Sequence, residues 1–189
     1  PYDEMALVPL AMKESYFNRF IWTTDNVPDE HLFSVRVSPI TGVKDSLSQN
    51  HHVTPSCWTA LPFQYWKGSS IYRVQVVSSA YHRGRLRVCW DPDFCNDTCG
   101  EAFNTNYSML LDITESQDVT FKIGWGANTD YLDVPNLDSM LTSVSVNPFT
   151  TPAFGCNGTL SFYVVNGLTS PGEISTPVTV NLFQCMDED

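Results

Sequence analysis

The sequence predicts an all-β domain, an antiparallel sandwich with one or two short helices. Runs of β-branched and aromatic residues recur along the chain, and several alternate strictly between apolar and polar residues. Pro, Asn, Asp and Gly punctuate the intervals between them. Helix signals are confined to two short stretches. A length of 189 residues fits one domain, residues 1–189, best. A chain of this size buries roughly 70% of its unfolded surface, so it needs no metal or disulfide to hold a core.

From the start of the chain, Asp3 to Met12 holds at most a turn, because Pro9 interrupts it. Residues 1–16 read as an N-terminal arm. Phe17 to Thr24 and Leu32 to Ser38 are the first two strands, separated by the turn-like Asp25-Asn26-Val27-Pro28-Asp29. Thr54 can cap a helix, and Pro55 suits its first position, where a missing N–H costs nothing. Pro62 stops it, so Pro55 to Leu61 reads as a short helix. Ile71 to Ser78 is a β-branched strand. In Gly84 to Trp90, Leu86, Val88 and Trp90 share one face. Tyr107 to Ile113 and Val119 to Trp125 follow, the second with Val119, Phe121, Ile123 and Trp125 on one side. Thr159 to Val165 turns Leu160, Phe162 and Val164 one way. The last run does the same with Val178, Val180 and Leu182. These make eight candidate strands. Pro39 to Val53, Asp91 to Asn106 and Gly126 to Asn157 are long connections, and connections this long usually have work to do. The last contains Leu141 to Val146, a candidate extra strand. Asp187-Glu188-Asp189 reads as a solvated acidic tail, within an end segment 186–189. Many strands with few helices fit a sandwich or barrel, and a jelly roll answers the edge-strand problem with two packed sheets.

Charged residues are only 16% of the sequence, below the usual quarter for a globular domain. A surface largely covered by neighbours tolerates that. The formal net charge of −11 argues against a broad nucleic-acid-binding face, which needs clustered Lys and Arg. The one basic cluster, His82-Arg83-Gly84-Arg85-Leu86-Arg87, puts its Arg residues on one face of a strand. It reads as a solvated or inter-subunit face, with an RNA contact as the competing reading. No apolar stretch of transmembrane length and no signal peptide is visible in this sequence. The sequence opens at Pro1 rather than Met, as expected of a processed product or a fragment.

A family resemblance emerges from motifs in order. Phe63 to Arg73, with Trp66-Lys67-Gly68 inside it, resembles the helix-to-strand junction of picorna-like virus capsid proteins. Tyr81-His82-Arg83-Gly84-Arg85-Leu86 is similar to their next turn and strand, which ends at a proline, here Pro92. Asn157-Gly158-Thr159-Leu160 through Asn166-Gly167-Leu168 is similar to their penultimate strand. Asp3-Glu4-Met5-Ala6 resembles the opening of capsid proteins from dicistrovirus-, iflavirus- and marnavirus-type polyproteins. The pieces span residues 3 to 185. The resemblance implies an eight-stranded antiparallel jelly-roll β-sandwich of two four-stranded sheets. One sheet would join strands one, eight, three and six, the other two, seven, four and five. It implies a structural major capsid protein of a small non-enveloped icosahedral virion enclosing single-stranded RNA. Its partners would be copies of itself, other major capsid proteins and a small internal capsid protein. The RNA would be enclosed with few direct contacts and assembly would occur in the host cytoplasm. Locally, Trp66 reads as an anchor pinning the helix to the sheet, Gly68 as a site of unusual dihedral or close approach, and Gly84 as a tight turn.

No enzymatic chemistry, cofactor or metal site is expected. His51 and His52 are adjacent and would project to opposite sides of an extended segment, and His31 and His82 are isolated. All four read as ordinary loop histidines. Of the six cysteines, Cys89 and Cys185 end apolar runs and behave as small hydrophobes. Cys95 and Cys99 read as free thiols or a local disulfide. Asp91, Asp93, Asp97 and Glu101 read as a solvated acidic loop, with a calcium site as the alternative. The sequons at Asn96, Asn106 and Asn157 matter only in a secreted protein. Related insect-virus capsids carry an Asp-Asp-Phe motif proposed to promote maturation cleavage. Asp91-Pro92-Asp93-Phe94 departs from it, so that activity is not carried over. Two other classes compete with the capsid reading: a secreted lectin- or cytokine-like binding module, and a metal-dependent jelly-roll enzyme.

Overall fold

The computed structural model describes residues 3, 5–44, 50–92, 106–137, 144–149, 154–170 and 176–188. A short helix α1 (Leu7–Ala11) precedes strands β1 (Ser15–Trp22) and β2 (His31–Arg36). A small hairpin follows, β3 (Gly42–Lys44) with β4 (His51–Val53), then helix α2 (Pro55–Ala60) and the two-residue β5 (Tyr65–Trp66). Next come β6 (Ser70–Val77), β7 (Arg83–Asp91), β8 (Tyr107–Asp112) and β9 (Asp118–Ile123). Short β10 (Leu132–Asp133) and β11 (Val144–Ser145) lead to β12 (Thr159–Thr169) and β13 (Val178–Met186).

Two antiparallel sheets carry the fold, in the orders β1-β13-β6-β9 and β11-β2-β12-β7-β8. Numbering only the eight longer strands, these are one, eight, three, six and two, seven, four, five, as the family resemblance implies. The expectation of two four-stranded sheets needs one correction: β11 adds a fifth strand, pairing Val144 with Val35 and Ser145 with Ser34. It falls inside the candidate extra strand Leu141 to Val146.

The apolar side chains of each strand close on the facing sheet. Tyr72, Val74 and Val76 of β6 and Val178, Val180 and Leu182 of β13 meet Leu86, Val88, Leu160, Phe162 and Val164 from the other side. Each such side chain, fully buried, contributes about 1.5–3 kcal/mol. In β1 the register shifts between Tyr16 and Asn18. That bulge lets Phe17 and Phe20, three residues apart, both point into the core.

Several local expectations are revised. Gly84 lies within β7, not in a turn: a Cβ there would sit 2.4 Å from the Trp22 ring, so the glycine makes room for a buried indole. The hydrogen bond and the ring contact of Trp66 go to loops rather than to α2. The Trp66 indole N–H donates to the Gly155 carbonyl at 2.9 Å and its ring stands edge-on to Trp125 at 5.3 Å. Gly68 does take an unusual dihedral, φ +145°. Thr54 caps the helix, accepting from the Cys57 N–H at 3.3 Å. Cys57 and Ile40 form a small core of their own beneath it. A buried polar relay then links the helix to β13: Gln184 donates to the Ser38 carbonyl at 3.0 Å, Thr41 donates to Gln184 Oε1, and the Thr41 and Thr54 hydroxyls are 3.0 Å apart. Helix α1 forms despite Pro9, because a residue in the first turn has no intrahelical acceptor to lose. The acidic end is not simply solvated. Asp187 pairs with Lys122, and its N–H donates to the Ser69 carbonyl at 2.9 Å.

Candidate assembly surfaces

Helix α2 turns Ser56, Cys57 and Thr59 inward. Trp58 therefore points away from the core and is 67% exposed. Phe63 and Tyr65 just beyond it, and Leu7 and Val8 on α1, are also exposed. Leu7, Val8, Ala60, Phe63, Trp66 and Met186 line one open hollow of about 300 Å3. Single exposed apolar residues are ordinary, whereas a cluster rimmed by polar groups marks an interaction surface. Tyr107 and Leu110 are exposed on β8, an outer strand of its sheet. A cavity of about 370 Å3, lined by Trp90, Tyr107, Met109, Phe121 and Ile123, opens between β8 and β9.

The outward face of the β11-containing sheet is covered at one end. Register aligns Ser145, Ser34, Ser161, Cys89 and Ser108 in a row of small residues across five strands. Ser34 and Ser161 are buried, with their hydroxyls 2.7 Å apart. His31 bridges Ser34 Oγ at 2.6 Å and the Val146 carbonyl at 3.2 Å. The Arg36 guanidinium lies 4.3 Å from the centre of the Phe149 ring. Residues 144–149 are thus strapped across the sheet. His31, expected as a loop residue, instead opens a strand and holds this strap.

The remaining sequence candidates are scattered. His51 and His52 lie on β4, His51 half-buried and His52 exposed. His82 bridges Ser79 and Thr176 at 2.7 and 2.9 Å. Among the described residues, no three His, Cys, Asp or Glu side chains converge as a metal site would require. Asp93, Cys95, Asn96, Asp97, Cys99 and Glu101 lie outside the described residues. Asp91 accepts from the Asn106 amide at 3.3 Å. Cys57, Cys89, Cys156 and Cys185 are free thiols. Burial raises the first three to about 11, so they stay protonated and unreactive at neutral pH. The sequon at Asn157 is sterically closed, because that residue is buried. Arg83 and Arg85 of the basic cluster are exposed on β7 and Arg87 is half-buried. Arg85 donates to Asp112 at 2.7 Å, and this bond holds the Asp112 carboxyl below its usual range. Sequence reasoning did not single out Trp58. A tryptophan on a short helix reads as core until the helix's buried side is known.

No protein-family model matches the sequence. It is similar to the structural polyprotein of Cricket paralysis virus, 28% identical over 135 residues, covering 69% of this protein and 15% of the polyprotein. Against a solved structure of a marine algae virus of the order Picornavirales, it superposes with a TM-score of 0.89 at 29% identity, over all of its own length and 74% of that subunit. The protein is similar in sequence and in fold to picorna-like virus capsid proteins. The Triatoma virus empty capsid has the same fold, with a TM-score of 0.83 at 20% identity, over 99% of this protein and 74% of that subunit. This protein spans a small part of the polyprotein it matches, 15% of its length. No helix among the described residues is long and apolar enough to cross a membrane.

Proposed function

We propose that this protein is a structural major capsid protein, which builds a non-enveloped icosahedral shell around single-stranded RNA together with copies of itself and related major capsid proteins. The observation that carries the reading is the superposition of its full length on a subunit of a Picornavirales virus. Two further features support it. Charged residues are scarce, at 16%, and the α1–α2 face presents Trp58, Phe63, Leu7 and Val8 to solvent in the isolated subunit. Obligate interfaces of this kind bury roughly 2,000–5,000 Å2 per pair and are rich in aromatics. The role is structural rather than enzymatic. RNA is enclosed with few direct contacts in this reading, which the net charge of −11 supports. A small internal capsid protein and assembly in the host cytoplasm belong to the same reading. The relatives are viral structural proteins, so the secreted-module alternative finds no support.

The test is co-expression with the sister subunits, followed by electron microscopy and sedimentation. Uniform shells containing this subunit are expected, and a subunit that stays monomeric beside assembled partners would overturn the proposal. Trp58→Asp sharpens it. Trp58 is exposed in the free subunit, so its stability should change by only about 0.5 kcal/mol, while the assembled fraction falls steeply. An unchanged yield of shells would remove the α2 face from the interface.

A further inference from the structure

Asn-Gly occurs twice in the sequence, at Asn157-Gly158 and Asn166-Gly167. Because glycine has no Cβ, its backbone nitrogen can approach Cγ of the preceding asparagine. The fold treats the two pairs in opposite ways.

Asn157 is locked. Its Oδ1 accepts from the Gly126 N–H at 2.9 Å and its Nδ2 donates to the Gly124 carbonyl at 2.9 Å. Its own N–H donates to the Val37 carbonyl at 2.7 Å, and its carbonyl accepts from the Trp90 indole at 3.0 Å. Gly158 is required where it stands, with φ +81° and the Asp91 carbonyl oxygen 2.2 Å from where a Cβ would be.

Asn166 is exposed, and its amide makes no hydrogen bond to the described residues. The register of β12 against β7 shifts on both sides of it, between Val164 and Asn166 and between Asn166 and Thr169. The backbone there is released from a regular ladder. Gly167 has no structural reason to be glycine. Its φ is not positive, and a Cβ would find its nearest neighbour, the Asn26 carbonyl oxygen, at an ordinary 3.6 Å. What this glycine does change is the reactivity of the residue before it.

We propose that Asn166 is a site of spontaneous deamidation, while the same dipeptide at Asn157 is protected by the fold. The Gly167 backbone nitrogen gives up its proton to solvent and attacks Cγ of Asn166. The Cγ–Nδ2 bond breaks and ammonia leaves, closing a five-membered succinimide. Water then opens the ring to aspartate or isoaspartate. One water is consumed, one ammonia is released, and no redox partner is needed. The new carboxylate arises in a polar hollow that also contains Arg83, Arg85, Asp112 and Thr169. Arg85, already bound to Asp112, is the residue paired with Asn166 across the sheet. Ageing thus adds a negative charge beside the basic cluster of β7, and the isoaspartyl product lengthens the backbone inside β12.

The experiment is peptide mapping by mass spectrometry on the folded, full-length protein, held at mildly alkaline pH and sampled over time. The Asn166 peptide should gain about one dalton while the Asn157 peptide stays unchanged. In denaturant both should convert. Gly167→Ala should slow conversion at Asn166 by roughly tenfold or more, because the added Cβ obstructs the attack, and leave the melting temperature unchanged. Conversion of Asn166 no faster than Asn157 in the folded protein, or equally fast in the Gly167→Ala variant, would overturn the proposal.

Discussion

Tyr72 stands in the middle of the sandwich, fully buried, with its hydroxyl unpaired among the described residues. Its ring is useful there, edge-on to Phe17 at 6.1 Å and stacked with Phe121 at 6.1 Å. The hydroxyl is a cost, since a buried polar group without a partner forfeits its hydration. Tyr72→Phe keeps the ring and removes that cost. It is expected to raise stability by about 1 kcal/mol, read as a higher urea midpoint at unchanged slope. A lower midpoint would mean that the hydroxyl has a bound partner. At this scale the sequence was partly legible. Alternation put Leu86, Val88, Leu160, Phe162 and Val164 inward, because period-two patterning is a local property. The roles of Gly84 and Trp66 were not legible, because each depends on a residue far away in sequence: Trp22 for the glycine, Gly155 and Trp125 for the indole.

Strands of six residues or more announced themselves, while the two- and three-residue pairs β3–β4 and β5–β10 did not. A strand that short shows no period to read, and its existence rests on the partner it finds. Trp125 continues the alternation of β9 in sequence yet leaves the sheet, its indole N–H turning to the Thr129 carbonyl at 2.9 Å. The placement of α2 was legible from Thr54 and Pro55, but its attachment was not. That attachment runs through Gln184, a fully buried amide with both ends occupied. Gln184→Leu strands the Ser38 carbonyl in a buried site and leaves the Thr41 hydroxyl with Thr54 alone, at an expected cost of about 1–3 kcal/mol. Hydrogen exchange should then show α2 and the β3–β4 hairpin opening before the two main sheets. Uniform loosening of the whole molecule would contradict that division.

For the molecule as a whole, the assembly surface was the least legible part. Composition indicated a covered surface, but exposed residues can be named only once the core has claimed the others. Trp58 and Trp22 carry the same indole, and only the packing tells the outer from the inner. The same packing sets how the fold responds to alkali. Cys57 is covered by the α2 region and Cys89 lies in the small-residue row of the second sheet, at 0% and 3% exposure. Burial raises both thiols from 9.0 to about 11. The folded protein therefore keeps two protons that the unfolded one releases above 9.0. Stability from these groups is whole below that value and drains away as pH rises towards 11, by up to about 2–3 kcal/mol per thiol. Urea midpoints should hold from about pH 8 to about pH 9 and then fall up to about pH 10.5. Replacing both cysteines by alanine lowers the starting stability by leaving small cavities, but it should flatten the slope. An equally steep decline in the double variant would assign the alkaline sensitivity to other groups.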